Sequence, residues 1–426
     1  MTKYHKGTFT NGYEGFWRKD REDVEHAIKT STIVLDTNAL LSLYRMDKSA
    51  RIEYFNVLNA LAARVWIPRQ VADEFHRNRI SSLDTHLNAL RKKSEAVEKS
   101  IGDLRGSLRD FAKLRSLAGP QFTDYMRPFD EALAGIESRI AGDLSNFDLT
   151  AGGLASHDPV LEELSILLDG KVGENLAEAK KEELRAEARR RGEEESPPGY
   201  KDFKSKGDAG LGDCLIWLQM VEHATTSKRP ILFVSTDVKE DWIRHQCGLT
   251  IGPRPELLEE MRSSAGVDYH HVTLSELLSL AGQALEVAVS QNTIDQALER
   301  QQVQARQREL RHQHAAISKE LSRVANEMEA AKDILRIQEN EASQLAVQAD
   351  MLKSQMEESL GSNKKQALEE LTDTKRRLAA NATDTEEIAR ELRNLAAIEL
   401  RLFARLRNIE NILRDQGWEI ASHHVG

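Results

Sequence analysis

The sequence predicts an α/β domain with a parallel sheet, a helical insertion within that domain, and an antiparallel coiled-coil hairpin after it. Three observations carry this prediction. Two short apolar runs, Ile33-Val34-Leu35 and Ile231-Leu232-Phe233-Val234, read as strands buried on both faces, and they run on into Asp36 and Asp237. From Ile33 to Arg79 strand and helix patterns alternate, which is the order of a βαβ sheet. Beyond Val287, apolar residues step by four and three from Ile317 to Met356, and a second series runs from Leu371 to Leu413.

In chain order, residues 1–30 are polar, with Phe16 and Trp17 as anchors and a helical stretch from Arg21 to Lys29. Asp36 stands where the first strand gives way to the helix of Ala39, Leu40, Leu41, Leu43 and Tyr44. Ile52, Phe55, Val57, Leu58 and Leu61 form one face of a second helix. Arg64 to Pro68 is a short strand ended by its proline. Arg69 to Arg79 begins a helix bearing Glu74. From about Ile80 to Glu195 the texture is helical. Leu83, Leu87, Leu90, Val97, Ile101, Leu104 and Leu108 mark one long helix, Pro120 and Pro128 punctuate a break, and Ala177 to Glu195 reads as a solvated helix.

The sheet domain resumes at Ser196. Pro197-Pro198-Gly199 is a loop, and Leu211 to Val221 is a buried helix with Asp213 in its first turn. Val267 to Val272 is a last strand, and Thr273 to Leu285 a closing helix with Thr273 and Glu276 as a capping box. In the hairpin only Gln338 interrupts the first seam, and Gly361-Ser362-Asn363 breaks the helix. The expected division is residues 1–285 for the α/β domain, with the insertion at about 80–195, and 286–426 for the hairpin. Such an arm spaces, dimerises or docks a partner.

The totals narrow the class. A net charge of −10 gives no global signature of nucleic-acid binding, so any such role needs a local basic groove. The two cysteines, Cys214 and Cys247, lack metal-ligand spacing and read as reduced thiols. No window approaches the roughly 18 apolar residues of a membrane span, and the first residues lack a signal-peptide core. We expect a soluble, cytoplasmic protein with no membrane partner. There is no HExxH arrangement for zinc, and no P-loop or dinucleotide fingerprint.

Four acids stand at comparable places. Asp36 and Asp237 follow buried strands, and Glu74 and Asp213 lie near helix starts. In an open parallel sheet such positions converge on the carboxyl edge, where ligands bind. Four carboxylates there repel one another unless a divalent cation neutralises them. Oxygen ligands without His or Cys select Mg²⁺ or Mn²⁺, which activates water for phosphodiester hydrolysis. The competing reading is four unrelated surface acids, with Asp36 merely capping a helix.

At these residues the sequence resembles the PIN-domain nucleases, and more closely their bacterial PIN-like branch. The matching words are VLDTNALLSLYR, VADEFHRNR, PPGYKD, GDCLIW and VSTDVKEDW, within about Thr30 to Ser279. The resemblance implies a Rossmann-like sheet and a metal-dependent ribonuclease-type site, with Asp36, Glu74, Asp213 and Asp237 as the acidic quartet. It also implies RNA ahead of DNA as substrate, and a role as a toxin or anti-phage effector. Divergent members of this fold can lose activity, so the resemblance implies a site more firmly than turnover.

Secondary candidates are Asn38 and Ser235, which would orient ligand groups or make ordinary turn bonds, and Asp241 and Asp202, which would join the metal site or pair with nearby cations. Arg77, Arg79, Lys201 and Lys239 are the local positive charge a phosphate would need, or plain surface charge. Trp217 and Trp242 read as core. The rivals to a nuclease are a non-catalytic PIN-fold scaffold acting through its coiled coil, and a phosphatase or flap-type DNA nuclease using the same acids. A homo-oligomer or a protein partner is expected at the hairpin.

Overall fold

The structure is a computed structural model that describes residues 9–10, 12–145, 147–236, 239–358 and 362–415. Its main sheet is built from strands too apolar to face water. β1 (Thr32–Leu35) and β2 (Ile231–Ser235) are buried at every residue. Beyond a hairpin of β3 (Ile243–Gln246) and β4 (Leu249–Pro253) comes β5 (Tyr269–Thr273). The sheet order is β1-β2-β5, all parallel, with Leu35 opposite Val234 and Ser235 opposite Thr273. The expected strand at 64–68 is present as two single parallel bridges, Val65 to Ile33 and Ile67 to Val172. Because every strand runs the same way, β1, β2 and β5 all end on one edge.

Helices flank this sheet in chain order. α1 (Arg21–Thr30) precedes β1, and α2 (Thr37–Leu41) and α3 (Lys48–Leu61) follow it. α4 (Arg69–Leu114), α5 (Gly119–Ser145), α6 (Ala151–Ser156), α7 (Pro159–Leu167), α8 (Glu178–Glu193) and α9 (Tyr200–Lys206) lead to α10 (Gly212–Ser227), which precedes β2. α11 (Pro255–Ala265) and α12 (Leu274–Leu285) close the domain, and α13 (Gln291–Glu358) and α14 (Ser362–Asp415) are the long C-terminal helices. The capping box at Thr273 and Glu276 forms as expected.

Three expectations are corrected here. The helix of Glu74 and the first helix of the insertion are one continuous element, α4, because nothing between Arg79 and Leu83 breaks helical hydrogen bonding. Pro120 sits at the start of α5 but Pro128 lies inside it and interrupts nothing. Leu90, Val97 and Leu104 are exposed, and the buried stripe of α4 runs through Leu83, Leu87, Ser94 and Ile101.

Trp217 and Trp242 are core residues. Trp217 meets Tyr269 edge-on at 5.0 Å, and its indole N–H donates to Glu260 at 2.8 Å, so its polar atom is satisfied. The β3–β4 hairpin was not legible in the pattern. Its turn, Cys247-Gly248, has φ of 52° and 77°, the geometry of a tight hairpin turn. Phe16 and Trp17 remain partly exposed, and Arg244 lies 4.2 Å above the Phe16 ring. Both cysteines are free. Among the described residues no helix is long and apolar enough to cross a membrane.

Two compact units result. The first reaches Arg308 and so includes the start of α13; the second runs from Glu309 to Asp415. Within the second unit α13 and α14 pair antiparallel, with Ile317, Val324, Ala331, Leu345 and Leu352 buried every seven or fourteen residues. Gln338 occupies the missing step. Its partner is Asn381, a polar residue of the opposing seam, whose amide donates to the Gln338 backbone oxygen at 3.2 Å and to its side-chain oxygen. A buried polar pair of this kind fixes register at some cost in stability. Gly361 lies outside the described residues.

Candidate functional site

Asp36 follows β1 directly and its backbone N–H donates to Val234 O at 2.9 Å, which locks it to the end of β2. It is 7% exposed. It occupies the N-cap position of α2, yet its side chain makes no capping bond. Helix capping therefore does not account for this carboxylate. Ser235 Oγ, from the end of β2, approaches Asp36 Oδ2 at 3.5 Å.

Glu74 comes to the same edge through α4. Its carboxylate accepts from Thr37 Oγ1 at 2.8 Å and from Gln70 Nε2 at 2.7 Å. Thr37 is the residue after Asp36, so the hydrogen bond ties the first two acids together. Glu74 also lies against the start of α10. A Cβ at Gly212 would stand 2.6 Å from Glu74 Oε1, so only glycine allows this approach. Asp213 is the next residue.

Asp213 is held by Lys239, whose ammonium donates to Asp213 Oδ2 and Asp202 Oδ2 at 2.6 Å each. Burial works against the Asp202 carboxylate, but Lys239 and Lys206 hold it well below the usual range. Asp241 completes the group. It is fully buried, its Oδ2 accepts the Gly199 N–H at 2.9 Å, and its Oδ1 has no partner. Gly199 adopts φ +87° with Asp213 Cβ 3.2 Å from where its own Cβ would be, so the Pro-Pro-Gly loop closes on Asp213 only with glycine there.

Burial and then the Asp213 charge push the Asp241 carboxyl up to about 6. A carboxyl whose folded pKa is raised binds more protons folded than unfolded, so it costs no stability below pH 3.8 and costs most above pH 6. Asp241→Asn in EDTA is therefore expected to gain about 2 kcal/mol relative to the parent chain as pH rises from 4 to 7. Chemical denaturation at the two pH values measures this.

Of the expected quartet, Asp36 and Glu74 are tied through Thr37, Asp213 follows the glycine that packs against Glu74, and Asp237 lies outside the described residues. Among the described residues no three acids, histidines or cysteines are close enough to form a ready ion site. Asn38 is half-buried and is engaged through its backbone carbonyl, by Ser42.

The expected cations are mostly committed to acids. Arg79 donates to Asp158 at 2.6 Å in a pair with little solvent access, Lys201 pairs with Glu240, and Lys239 is placed between Asp213 and Asp202. This corrects Arg79 and Lys239 as surface cations: each is drawn inward by a carboxylate. Arg77 remains exposed, bonded to Asp73 O at 3.1 Å. Thr37, Gln70 and Gly212 escaped the sequence reading, though the Gly-Asp pair opening a buried helix was a visible signal.

No curated protein and no solved structure matches the chain. The model of the family described as "PIN like domain" matches residues 32–257, more than half of the 426 residues. That span runs from the first residue of β1 to the first turn of α11, and takes in Asp36, Glu74, Asp213 and Asp241. By this match, over the same residues that build the acidic edge, the chain belongs to the PIN-like domain family.

Proposed function

We propose that this chain is a divalent-metal-dependent nuclease, with RNA ahead of DNA as substrate. The observation that supports the reading is the Asp36–Thr37–Glu74 link at the carboxyl edge of a parallel sheet, with Gly212, the residue before Asp213, packed against Glu74. The donors fit a hard cation in kind, since all are oxygen, and the orphaned Asp241 Oδ1 is a further buried acceptor. Asp36, Glu74 and Asp213, with Asp237, would hold Mg²⁺ or Mn²⁺. Such an ion supplies charge neutralisation at phosphorus and a more acidic water.

The chain's own residues do the rest. Thr37 and Gln70 fix the Glu74 carboxylate, Ser235 orients Asp36, and Lys239 balances Asp202 and Asp213. The hairpin pairs within one chain and leaves Ile337, Met351, Leu400 and Phe403 exposed, which suits a second copy or a protein partner.

A substrate panel tests the reading. RNA and single-stranded DNA are incubated with the full chain and Mn²⁺, with and without EDTA, beside the Asp36→Asn/Asp213→Asn double variant. Cleavage that needs the metal and both acids is expected; cleavage surviving the double change would exclude this site. Gly212→Ala adds a Cβ that displaces the Glu74 carboxylate. We expect it to lower cleavage about 10- to 100-fold, the range for disturbing groups that orient a metal ligand, with little change in melting temperature. A second reading, a non-catalytic scaffold, is favoured by one observation: Lys239 already supplies the charge that Asp213 would draw from an ion.

A further inference from the structure

A cationic cluster without an ion pair among the described residues lies one helical turn from the residues that reach Asp36. Arg300 on α13 donates to the Arg45 backbone oxygen at 3.3 Å and lies 3.1 Å from both ring nitrogens of His86 on α4. Among the described residues neither Arg45 nor Arg300 has a carboxylate partner. Burial and then Arg300 push the Arg45 guanidinium down to about 10, burial lowers Arg300, and Glu299 offsets this in part. Burial and both arginines hold His86 down at about 3, so its ring is neutral. Two partly buried guanidinium groups that disfavour each other make poor structural pieces. They make a good receptor for an anion with several oxygens.

The position is informative. Gln304, one helical turn (about 6 Å) beyond Arg300, accepts from Thr236 Oγ1 at 2.6 Å. Thr236 directly follows Ser235, which reaches Asp36. Arg45 closes the helical segment that starts just after Asp36. The start of α13 is fastened here independently: Glu53 accepts from Thr293 and Ser290, and Asp47 from Gln296. The cluster is thus built into the first unit, one helical turn from the carboxyl edge, and α13 lies beyond the family match that ends at residue 257.

We propose that Arg45 and Arg300 form a phosphate subsite for a nucleic-acid strand whose reacting bond lies at the acidic edge. This rests on the nuclease reading. The helix that goes on to become the hairpin completes the binding surface, and neutral His86 positions Arg300.

The test is fluorescence anisotropy in EDTA, with labelled single-stranded oligoribonucleotide and oligodeoxynucleotide titrated by the full chain, by Arg45→Gln and by Arg300→Gln at several salt concentrations. Each variant is expected to bind at least tenfold more weakly, with a salt slope smaller by about 1 per lost contact. Arg300→Lys should recover part of the affinity, and melting temperatures should hold or rise as the repulsion is relieved. Unchanged affinity and slope in both glutamine variants would overturn the subsite, even if Mn²⁺-dependent cleavage is found. Failure of the parent chain to bind either oligonucleotide would also overturn it. Binding that depends on both arginines, in a chain that never cleaves, would uphold the subsite and remove the nuclease reading alone.

Discussion

Asp36→Asn is expected to lower Mn²⁺-dependent cleavage about a thousandfold while the fold survives. The size follows from the loss of one anionic ligand at the centre of the edge: an ion's charge stabilisation is worth several kcal/mol, and each 1.36 kcal/mol is tenfold in rate. Survival of the fold follows from the geometry. The Asp36 side chain makes no capping bond, and the backbone bond to Val234 is untouched by the change. Asparagine also removes a charge from a site that is 7% exposed, so in EDTA the melting temperature should not fall. Steady-state cleavage rates and thermal melts on the same preparations measure both halves. A variant that loses activity and stability together would point to damage, not to a missing ligand.

The largest stability effect belongs to a different carboxylate. Asp158 is 6% exposed and serves three groups: the Tyr44 hydroxyl at 2.9 and 3.1 Å, Arg79 at 2.6 Å, and the Leu161 N–H at 3.0 Å as the cap of α7. Asp158→Ala strands an arginine whose Nε is already unpartnered, together with a fully buried tyrosine hydroxyl. Removing one side of a buried ion pair costs about 3 to 5 kcal/mol, or on the order of 10 °C in a domain of this size. Asp158→Asn keeps the cap and should cost less. Thermal and urea melts read the difference. This network also explains why Arg79 is not offered to a phosphate.

Much of the sheet was legible in the sequence because parallel strands buried on both faces need continuous apolar runs. Ile33–Leu35 and Ile231–Val234 have no other use, and the acids after them mark the strand ends. The Thr273–Glu276 box was equally plain, since capping is chemistry local to four residues. What the pattern hid is what depends on distant partners. Nothing near Gln338 names Asn381, and nothing near Arg79 names Asp158.

The same holds at the site. Asp36 and Asp213 were visible as acids at element boundaries. The groups around Glu74, Thr37 on it and Gly212 against it, are small residues whose role appears only when α4 meets α2 and α10. The continuity of α4 was hidden by the change of texture at Ile80, which reflects a change in what the helix packs against, not a break in its backbone.

The central claim is most directly tested by calorimetric titration of Mn²⁺ into the full chain and into Asp36→Asn, both freed of metal beforehand. We predict that the parent chain binds with measurable heat and that the variant binds at least tenfold more weakly. Equal affinity in the two would mean that Asp36 does not hold an ion, and would contradict the account.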